Sequence, residues 1–347
     1  MGRGGTHTER TAPTNTICTM KLNEITIEIT QQCPNQCVYC SSLSCPNKTT
    51  CLTTEKILEV VDDAVDLGCE SISLSGGEPF LHPGLVQIVN HIAKQGVQCL
   101  IYTSGICFEN GIPHSIPEEI LEALRGKVAK YIVNVEAADE AAYDKIMGTL
   151  FHGFAMMKQF IAEAVAMGEV VEAHFVPMKL NYRQIPSVVE MCTELGVSRV
   201  SFLRFVAQGR GCENVEQLLL EKEESIEAKR LMNQCVSNNA EGVRLGIPFA
   251  DCCHRVNCLT GTSKLNIRYD GNVYPCEAFK NEFGCKMIVS EPDNVNVRRL
   301  VDIYANSKFL NEVRLMNEQF QVINTCETCV NQYYSNQRLP EYEKIDR

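Results

Sequence analysis

The sequence predicts an α/β fold, in which a mainly parallel sheet alternates with helices and a small cysteine-rich domain follows. Three observations support this prediction. Short apolar runs alternate with amphipathic segments up to about residue 245, the alternation is then lost, and cysteines cluster on both sides of that point. A chain of 347 residues, 45% of them hydrophobic, can bury the core of one large domain with an appendage.

Six apolar runs are the predicted strands: Ile25–Thr30, Ser71–Ser75, Val97–Thr103, Tyr131–Glu136, Val170–Val176 and Val200–Phe205. The segments between them carry apolar residues at helical spacing. One such face runs from Ile57 to Val65, and Thr53 or Thr54 is its predicted N-cap. Strands that alternate with helices are typical of parallel sheets. Six units are fewer than the eight of a closed barrel, so the pattern leaves an open barrel and a flat sheet as alternatives.

The predicted division of the chain is a disordered tail, a core and a C-terminal domain: residues 1–22, 23–245 and 246–347. A charged helical stretch, Glu213–Asn239, closes the core. Beyond it, the segment Lys264–Tyr274 has the pattern of a β-hairpin, with Asp270-Gly271 as its turn signal.

The composition limits where the protein acts and on what. A formal net charge of −11 offers no support for a surface that binds nucleic acid or an anionic membrane. Nineteen cysteines, an odd number in a chain of this length, do not indicate a disulfide scaffold. No signal peptide and no apolar run of ~18 residues is present in the sequence. We therefore expect a cytoplasmic protein whose thiols are available to metals.

Three cysteines, Cys33, Cys37 and Cys40, follow the first predicted strand within eight residues. Thiolates are ligands that iron–sulfur clusters and zinc prefer. A structural zinc usually takes a fourth protein ligand, whereas a cubane held by three cysteines keeps one iron open for an exchangeable ligand. The spacing favours a [4Fe–4S] cluster, with a zinc loop as the alternative.

This C-x₃-C-x₂-C motif, with Tyr39 before its third cysteine, resembles the hallmark of the radical S-adenosylmethionine (SAM) superfamily. Ser75–Pro79, the sequence Ser-Gly-Gly-Glu-Pro after the second strand, resembles the family's GGEP motif. Tyr102–Gly105, after the third strand, is also similar. The resemblance implies a partial (β/α)₆ barrel. It also implies reductive cleavage of SAM on the open iron to a 5′-deoxyadenosyl radical that abstracts hydrogen from a substrate, with a low-potential flavodoxin or ferredoxin as reductant.

The resemblance also implies roles for individual residues. Gly76, Gly77, Glu78 and Pro79 would receive the SAM amino group, because glycines let backbone carbonyls approach a ligand and Glu78 can offset the ammonium charge. Tyr39 would contact adenine, although it could equally be a packing residue. The remaining predicted cofactor-binding residues are expected to face the pocket: Ser104 and Glu136.

The C-terminal part carries a second cysteine pattern. Cys258 is followed by twelve residues, Gly271, four residues and Cys276, which resembles the opening of SPASM and twitch auxiliary-cluster domains. Cys326 and Cys329 form a later C-x₂-C pair. No cysteine follows Cys329, so the pattern looks more like the twitch type, which implies one auxiliary [4Fe–4S] cluster on these four cysteines.

Alternatives to this ligand set are Cys252 or Cys253 as a ligand, and a structural zinc on the same four thiols. Two arginines near the sixth strand, Arg204 and Arg210, would either meet a carboxylate or be solvated. By resemblance to some SPASM dehydrogenases, Glu277 would accept a proton while an electron passes to the auxiliary cluster.

The expected function is hydrogen abstraction from a peptide or small molecule, leading to oxidation or bond formation. Only 32 residues precede Cys33, too few for a leader-recognition domain before the barrel. Two alternatives come from other classes: an iron–sulfur or zinc protein that senses or carries metal without turnover, and an enzyme that modifies RNA or a cofactor precursor. The Gly76–Pro79 motif argues against the carrier, because a carrier needs no SAM site.

Overall fold

The computed structural model describes residues 21–109, 111–149, 152–246, 249, 260–280 and 290–323. Its strands in chain order are β1 (Glu24–Thr30), β2 (Ser71–Gly76), β3 (Gln98–Thr103), β4 (Ile106–Glu109), β5 (Ile112–Ser115), β6 (Lys130–Asn134), β7 (Val171–Phe175), β8 (Arg199–Phe202), β9 (Val243–Leu245), β10 (Lys264–Ile267) and β11 (Val273–Tyr274). Its helices are α1 (Thr54–Asp66), α2 (Leu85–Lys94), α3 (Glu118–Leu124), α4 (Glu140–Met147), α5 (Gly153–Ala166), α6 (Ile185–Glu194), α7 (Arg210–Glu213), α8 (Val215–Leu218), α9 (Lys222–Asn238), α10 (Leu300–Asn306) and α11 (Lys308–Ile323).

Nine of these strands form one sheet, in the spatial order β11-β10-β1-β2-β3-β6-β7-β8-β9. Every neighbouring pair from β10 to β9 is parallel, and β11 pairs with β10 in the antiparallel sense. The six predicted strands are confirmed as β1, β2, β3, β6, β7 and β8. Because they run in parallel, their carboxyl ends meet at one edge, where the loops can build a site.

Strand β1 explains how the sheet separates its core from its site. Ile25, Ile27 and Ile29 are buried in the apolar core. The alternate residues Thr26 and Glu28 instead bond to side chains that line a cavity at the carboxyl edge. Successive side chains of a strand point to opposite faces, so one strand supplies both surfaces.

The predicted helices are present, with one change. Thr53 caps α1 by accepting a hydrogen bond from the Lys56 amide at 3.2 Å, and Ile57 is fully buried beneath it. The stretch predicted as helical over roughly Glu213–Asn239 begins at the last residue of α7 and contains two separate helices, α8 and α9. Leu219 has extended backbone (φ −68°, ψ 125°), and α9 begins with its own capping box on Glu221.

The predicted hairpin over Lys264–Tyr274 is confirmed as β10 and β11, with Gly271 in the turn at φ +90°. Its position is a finding that the sequence did not indicate. Strand β10 lies parallel to β1, with Leu265 opposite Ile25, so the sheet crosses the predicted boundary at residues 245–246. Pairing with β10 provides hydrogen-bond partners for backbone N–H and C=O groups that would be unpaired if β1 were at the edge of the sheet.

A buried aspartate also joins the last helices to the core. Asp63 on α1 is 1% exposed and accepts a hydrogen bond from the Leu300 amide at 2.8 Å, at the start of α10. Arg299 donates from Nε to both Asp63 oxygens, at 3.1 and 3.0 Å. None of the helices within the described ranges is long and apolar enough to cross a membrane.

Candidate active site

Cys33, Cys37 and Cys40 lie on the loop that follows β1, and all three line one cavity of about 350 Å³. Cys33 is buried, and the other two are half-buried. Burial raises the pKa of the Cys33 and Cys37 thiols, and a neighbouring cysteine raises each pKa further. Crowded thiols are costly to ionise together, so a bound metal group would stabilise their thiolate forms.

The arrangement of these cysteines bears on the choice between a cluster and a single ion. Among the described residues, no three His, Cys, Asp or Glu side chains are placed to hold one metal ion. A cubane binds each cysteine through a different iron, so its ligands stand farther apart than those of one tetrahedral zinc. The Asn35 carboxamide, buried in the same cavity with no partner among the described residues, could pair with such a cluster. Three thiols and an unpaired buried amide on one cavity are a set of groups that fits an iron–sulfur cluster.

The cysteine loop is held by residues far away in the sequence. Arg210 donates from Nε to the Cys37 carbonyl at 2.8 Å and from Nη2 to the Ser44 carbonyl at 2.6 Å. Asn214 donates to the Val38 carbonyl at 2.9 Å. Within the described residues, Arg210 thus binds backbone carbonyls instead of a carboxylate. Sequence reasoning missed this role of Arg210 and Asn214, because no local pattern distinguishes them from exposed polar residues.

The glycines at the end of β2 pack directly against the start of the cysteine loop. The Gly77 amide donates to the Thr30 carbonyl at 2.6 Å, and the Glu78 amide donates to the Gln32 carbonyl at 2.8 Å. A Cβ atom added at Gly77 would lie 1.9 Å from the Gln32 carbonyl oxygen. Glycine is therefore required here for contact between two backbones, and Gly76 and Gly77 also line the cavity.

The Glu78 carboxylate lies behind the cavity wall and is fully buried. It accepts hydrogen bonds from Thr103 Oγ1 at 2.8 Å and from Ser104, whose amide lies at 2.8 Å and hydroxyl at 2.6 Å. Burial raises the pKa of Glu78 to about 7, although these hydrogen bonds oppose the rise. Glu78 thus orients Ser104, which lines the cavity together with Thr103.

A second buried carboxylate, that of Glu136, holds another residue of the cavity wall, Tyr39. The Tyr39 hydroxyl donates to Glu136 Oε1 at 2.9 Å, and the Val176 amide donates to Oε2 at 3.0 Å. Burial raises the pKa of Glu136 to about 7, opposed by these bonds. Tyr39 lines the cavity, whereas Glu136 stands behind it. A direct contact between Glu136 and a cofactor would require one of these bonds to be exchanged.

Residues after β11 complete the cavity. Glu277 lines it and accepts a hydrogen bond from Thr26 Oγ1 at 2.9 Å, while Lys264 Nζ lies 3.4 Å from its other oxygen. Burial is the largest influence on the pKa of Glu277 and would raise it, but the attraction of Lys264 and Lys280, together with hydrogen bonds to the carboxylate, lowers the pKa overall. At neutral pH the Glu277 side chain is therefore a carboxylate at the cavity wall.

A buried ion pair joins the same segment to the cysteine loop. Lys280 Nζ lies 2.5 Å from Glu28 Oε1 and 3.1 Å from the Ser42 hydroxyl, and both charged side chains are at most 6% exposed. Burying one charge without the other would be costly, so this pair fixes the position of the segment on the loop.

Only part of the second cysteine group can be located. Cys276 is half-buried and directly precedes Glu277. The other three predicted auxiliary ligands lie outside the described residues, as do both alternative ligands: Cys258, Cys326, Cys329, Cys252 and Cys253. Cys45 and Cys51 pair by backbone bridges with Gln32 and Thr30, and neither lines the cavity.

Two family models match the chain. Residues 27–198 match that of the radical SAM superfamily, and residues 258–330 match that of SPASM, an iron–sulfur cluster-binding domain. Among characterised relatives, the chain is similar to the PqqA peptide cyclases of Gluconobacter oxydans and Methylocella silvestris. Each is 28% identical, over 262 and 294 residues, covering 72% and 83% of this chain and 69% and 75% of the relative.

Solved structures with the same fold support these matches. Streptococcus suis SuiB bound to S-adenosylmethionine has a TM-score of 0.70 at 15% identity, covering 93% of this chain and 76% of SuiB. SuiB bound to its precursor peptide SuiA has a TM-score of 0.71 at 16% identity, and the match covers 93% of this chain and 75% of SuiB. Native anSMEcpe, with bound AdoMet and the Cp18Cys peptide, has a TM-score of 0.67 at 13% identity, and the match covers 93% of this chain and 94% of anSMEcpe.

Proposed function

We propose that this chain, which belongs to the radical SAM superfamily and carries a SPASM-type iron–sulfur domain, modifies a peptide by abstracting hydrogen from it. Members of this family are enzymes that use a [4Fe–4S] cluster and SAM, and the SPASM-type domain adds auxiliary iron–sulfur binding. The alternative of a sensor or carrier without turnover is therefore rejected. The observation that carries the proposal is the convergence of Cys33, Cys37, Cys40, the Gly76-Gly77 turn and Ser104 on one cavity.

Cys33, Cys37 and Cys40 are the residues that would hold the SAM-binding cluster. When bound, the cluster and SAM would supply a 5′-deoxyadenosyl radical that abstracts hydrogen, at the cost of one electron from the reductant, and the auxiliary cluster would supply an electron acceptor. Around them, the protein positions the side chains that line the cavity. Gly76 and Gly77 let backbone reach the cofactor, while Glu78 and Glu136 hold Ser104 and Tyr39 in place from behind the wall.

For the auxiliary cluster we propose Cys258, Cys276, Cys326 and Cys329 as ligands, with Cys252 or Cys253 as the alternative ligand. Support comes from the position of Cys276: the next residue in the chain, Glu277, lines the cavity. The buried pair of Lys280 and Glu28 then ties this region to β1, the strand that leads into the loop of the first cluster.

A peptide is favoured over a small molecule or RNA because the relatives are named as cyclases of a peptide and the fold recurs in SuiB with a bound precursor peptide. The net charge of −11 also disfavours RNA. We further propose a low-potential flavodoxin or ferredoxin as the electron donor, for which dithionite substitutes in vitro.

The test is an anaerobic assay of the reconstituted protein with dithionite, SAM and a peptide. PqqA, SuiA and a library of short peptides are the probes. We expect 5′-deoxyadenosine together with a peptide whose mass has changed, and the two amounts should rise in proportion. If 5′-deoxyadenosine forms but every peptide keeps its mass, while a small molecule or RNA is converted, the peptide assignment is wrong and the radical chemistry stands.

Glu277 is the proposed proton acceptor, because it is a carboxylate that lines the same cavity as the three cysteines. In Glu277→Gln, the peptide product should fall by about 10²–10⁴-fold, the usual contribution of a general base. Release of 5′-deoxyadenosine should continue, because SAM cleavage does not use this group. Both products are measured by mass spectrometry.

Glu24→Gln is the matched control, because Glu24 lies 3.4 Å from the same Lys264 but does not line the cavity. It should retain product formation. An unchanged yield of modified peptide in Glu277→Gln would remove Glu277 from the mechanism.

A further inference from the structure

Asn35 lies in the middle of the cysteine loop, between Cys33 and Cys37, and its side chain lines the cavity. It is 1% exposed, and neither its Nδ2 nor its Oδ1 atom has a hydrogen-bond partner among the described residues. Since both ends of the amide lack partners, this observation does not depend on which end carries the nitrogen. A buried amide left unpaired costs about 1–3 kcal/mol, so a missing partner is expected in the cavity.

The other polar side chains of the loop cannot take this place. Between Cys33 and Cys40, the only other polar residues are Gln36, which is exposed, and Tyr39, whose hydroxyl is bound to Glu136. The loop itself is held by Arg210, so Asn35 cannot readily turn outward to find water. Asn35 is thus the loop residue whose donor remains available inside the cavity.

The backbone of Asn35 lies close to Cys33, one of the proposed cluster ligands. Its backbone amide lies near enough to the Cys33 thiol to oppose the rise in the pKa of that thiol, which places residue 35 beside it. The sulfurs of an iron–sulfur cluster are anionic acceptors, and hydrogen bonds to them are among the features that set its reduction potential. A side-chain N–H close to Cys33 therefore has a suitable partner once a cluster is bound.

We propose that the Asn35 carboxamide donates an N–H···S hydrogen bond to the cluster held by Cys33, Cys37 and Cys40 and thereby raises its reduction potential. The direction follows from charge. Reduction adds one electron to the cluster, its sulfurs become stronger acceptors, and a donated hydrogen bond stabilises the reduced form more than the oxidised form. The inference concerns the cluster alone and does not depend on a peptide being the substrate.

The experiment compares reduction potentials of the reconstituted full chain without peptide, by redox titration followed by electron paramagnetic resonance. The signal of this cluster is the one that disappears when Cys33, Cys37 and Cys40 are all alanine. In Asn35→Leu, which keeps the volume and removes the donor, the equilibrium constant for one-electron reduction should fall about tenfold, which corresponds to a potential about 59 mV lower. Gln36→Leu makes the same chemical change on the exposed side of the loop and should leave the potential unchanged.

Asn35→Asp keeps the shape of the side chain, so it serves if Asn35→Leu fails to hold iron. A carboxylate cannot donate a hydrogen bond, and its negative charge opposes reduction. The reduction potential of the cluster in Asn35→Asp should therefore fall at least as far as in Asn35→Leu. In addition, asparagine labelled with ¹⁵N in its side-chain amide should show a hyperfine coupling to the reduced wild-type cluster, and the coupling should vanish in Asn35→Leu. Potentials of both variants equal to that of Gln36→Leu, or no ¹⁵N coupling in the wild type, would overturn the proposal.

Discussion

Replacing Cys33, Cys37 and Cys40 together by alanine is expected to abolish 5′-deoxyadenosine formation and to lower bound iron from about eight to about four atoms per chain. The three thiols line one cavity and supply its soft ligands, so none of the neighbouring serines or asparagines can replace them. Iron and sulfide are counted after anaerobic reconstitution, and 5′-deoxyadenosine is measured by mass spectrometry with dithionite and SAM.

The matched control is a double variant of two exposed thiols, Cys51→Ala and Cys212→Ala, neither of which lines the cavity. It should keep full iron and full activity. If the wild type binds only about four irons and forms normal amounts of 5′-deoxyadenosine, the proposed auxiliary cluster is wrong, whereas SAM cleavage by the first cluster is still supported. Normal 5′-deoxyadenosine from the triple variant would contradict the assignment of these cysteines.

A single methyl group at Gly77 is the second change with a large expected effect. The added Cβ of Gly77→Ala would lie 1.9 Å from the Gln32 carbonyl oxygen and 2.7 Å from that of Gln31. Both are backbone atoms, so the turn after β2 and the cysteine loop must move apart. A displacement of about 1 Å at a reacting site can cost about 10²-fold in rate, and we expect at least that loss of 5′-deoxyadenosine formation.

Gly96→Ala provides the comparison for this variant. Gly96 is exposed, with φ +72° and nothing within 4 Å of an added Cβ, so alanine there suffers only the strain of a left-handed conformation, about 1–2 kcal/mol. Gly77 does not have a positive φ, so its cost would come from contact. If the two variants retain equal 5′-deoxyadenosine formation, close approach of the two loops is not what the site requires.

The pairing of β10 with β1 gives the two cysteine regions a common frame. Strand β1 leads into the cysteine loop, and the hairpin of β10 and β11 leads into Cys276. The two strands are hydrogen-bonded neighbours, and Gln31 donates to the Tyr269 hydroxyl at 2.7 Å, just beyond their ends. Relative movement of the two regions would break these contacts, so the geometry between them is determined by the sheet.

Several features of the protein are determined by sequence alone, because the signals that specify them are local. The apolar run of β1, the helical spacing of α1 and its Thr53 cap each depend on residues close together in the chain, and the structure confirms them. The same holds for the short motif Cys33–Cys40 and for the Gly76–Pro79 turn. Their spacing carries the resemblance to the family, and the match over residues 27–198 confirms that resemblance.

Tertiary structure alone decided the contacts between residues that are distant in the chain. Arg210 reaches the Cys37 carbonyl across 173 positions, and Lys280 reaches Glu28 across 252. Likewise, the carboxylates of Glu78 and Glu136 follow strand ends as predicted, yet both lie behind the cavity wall. Sequence periodicity reports which face of an element is apolar, whereas the partner of a buried polar group depends on where the sheet brings distant loops together.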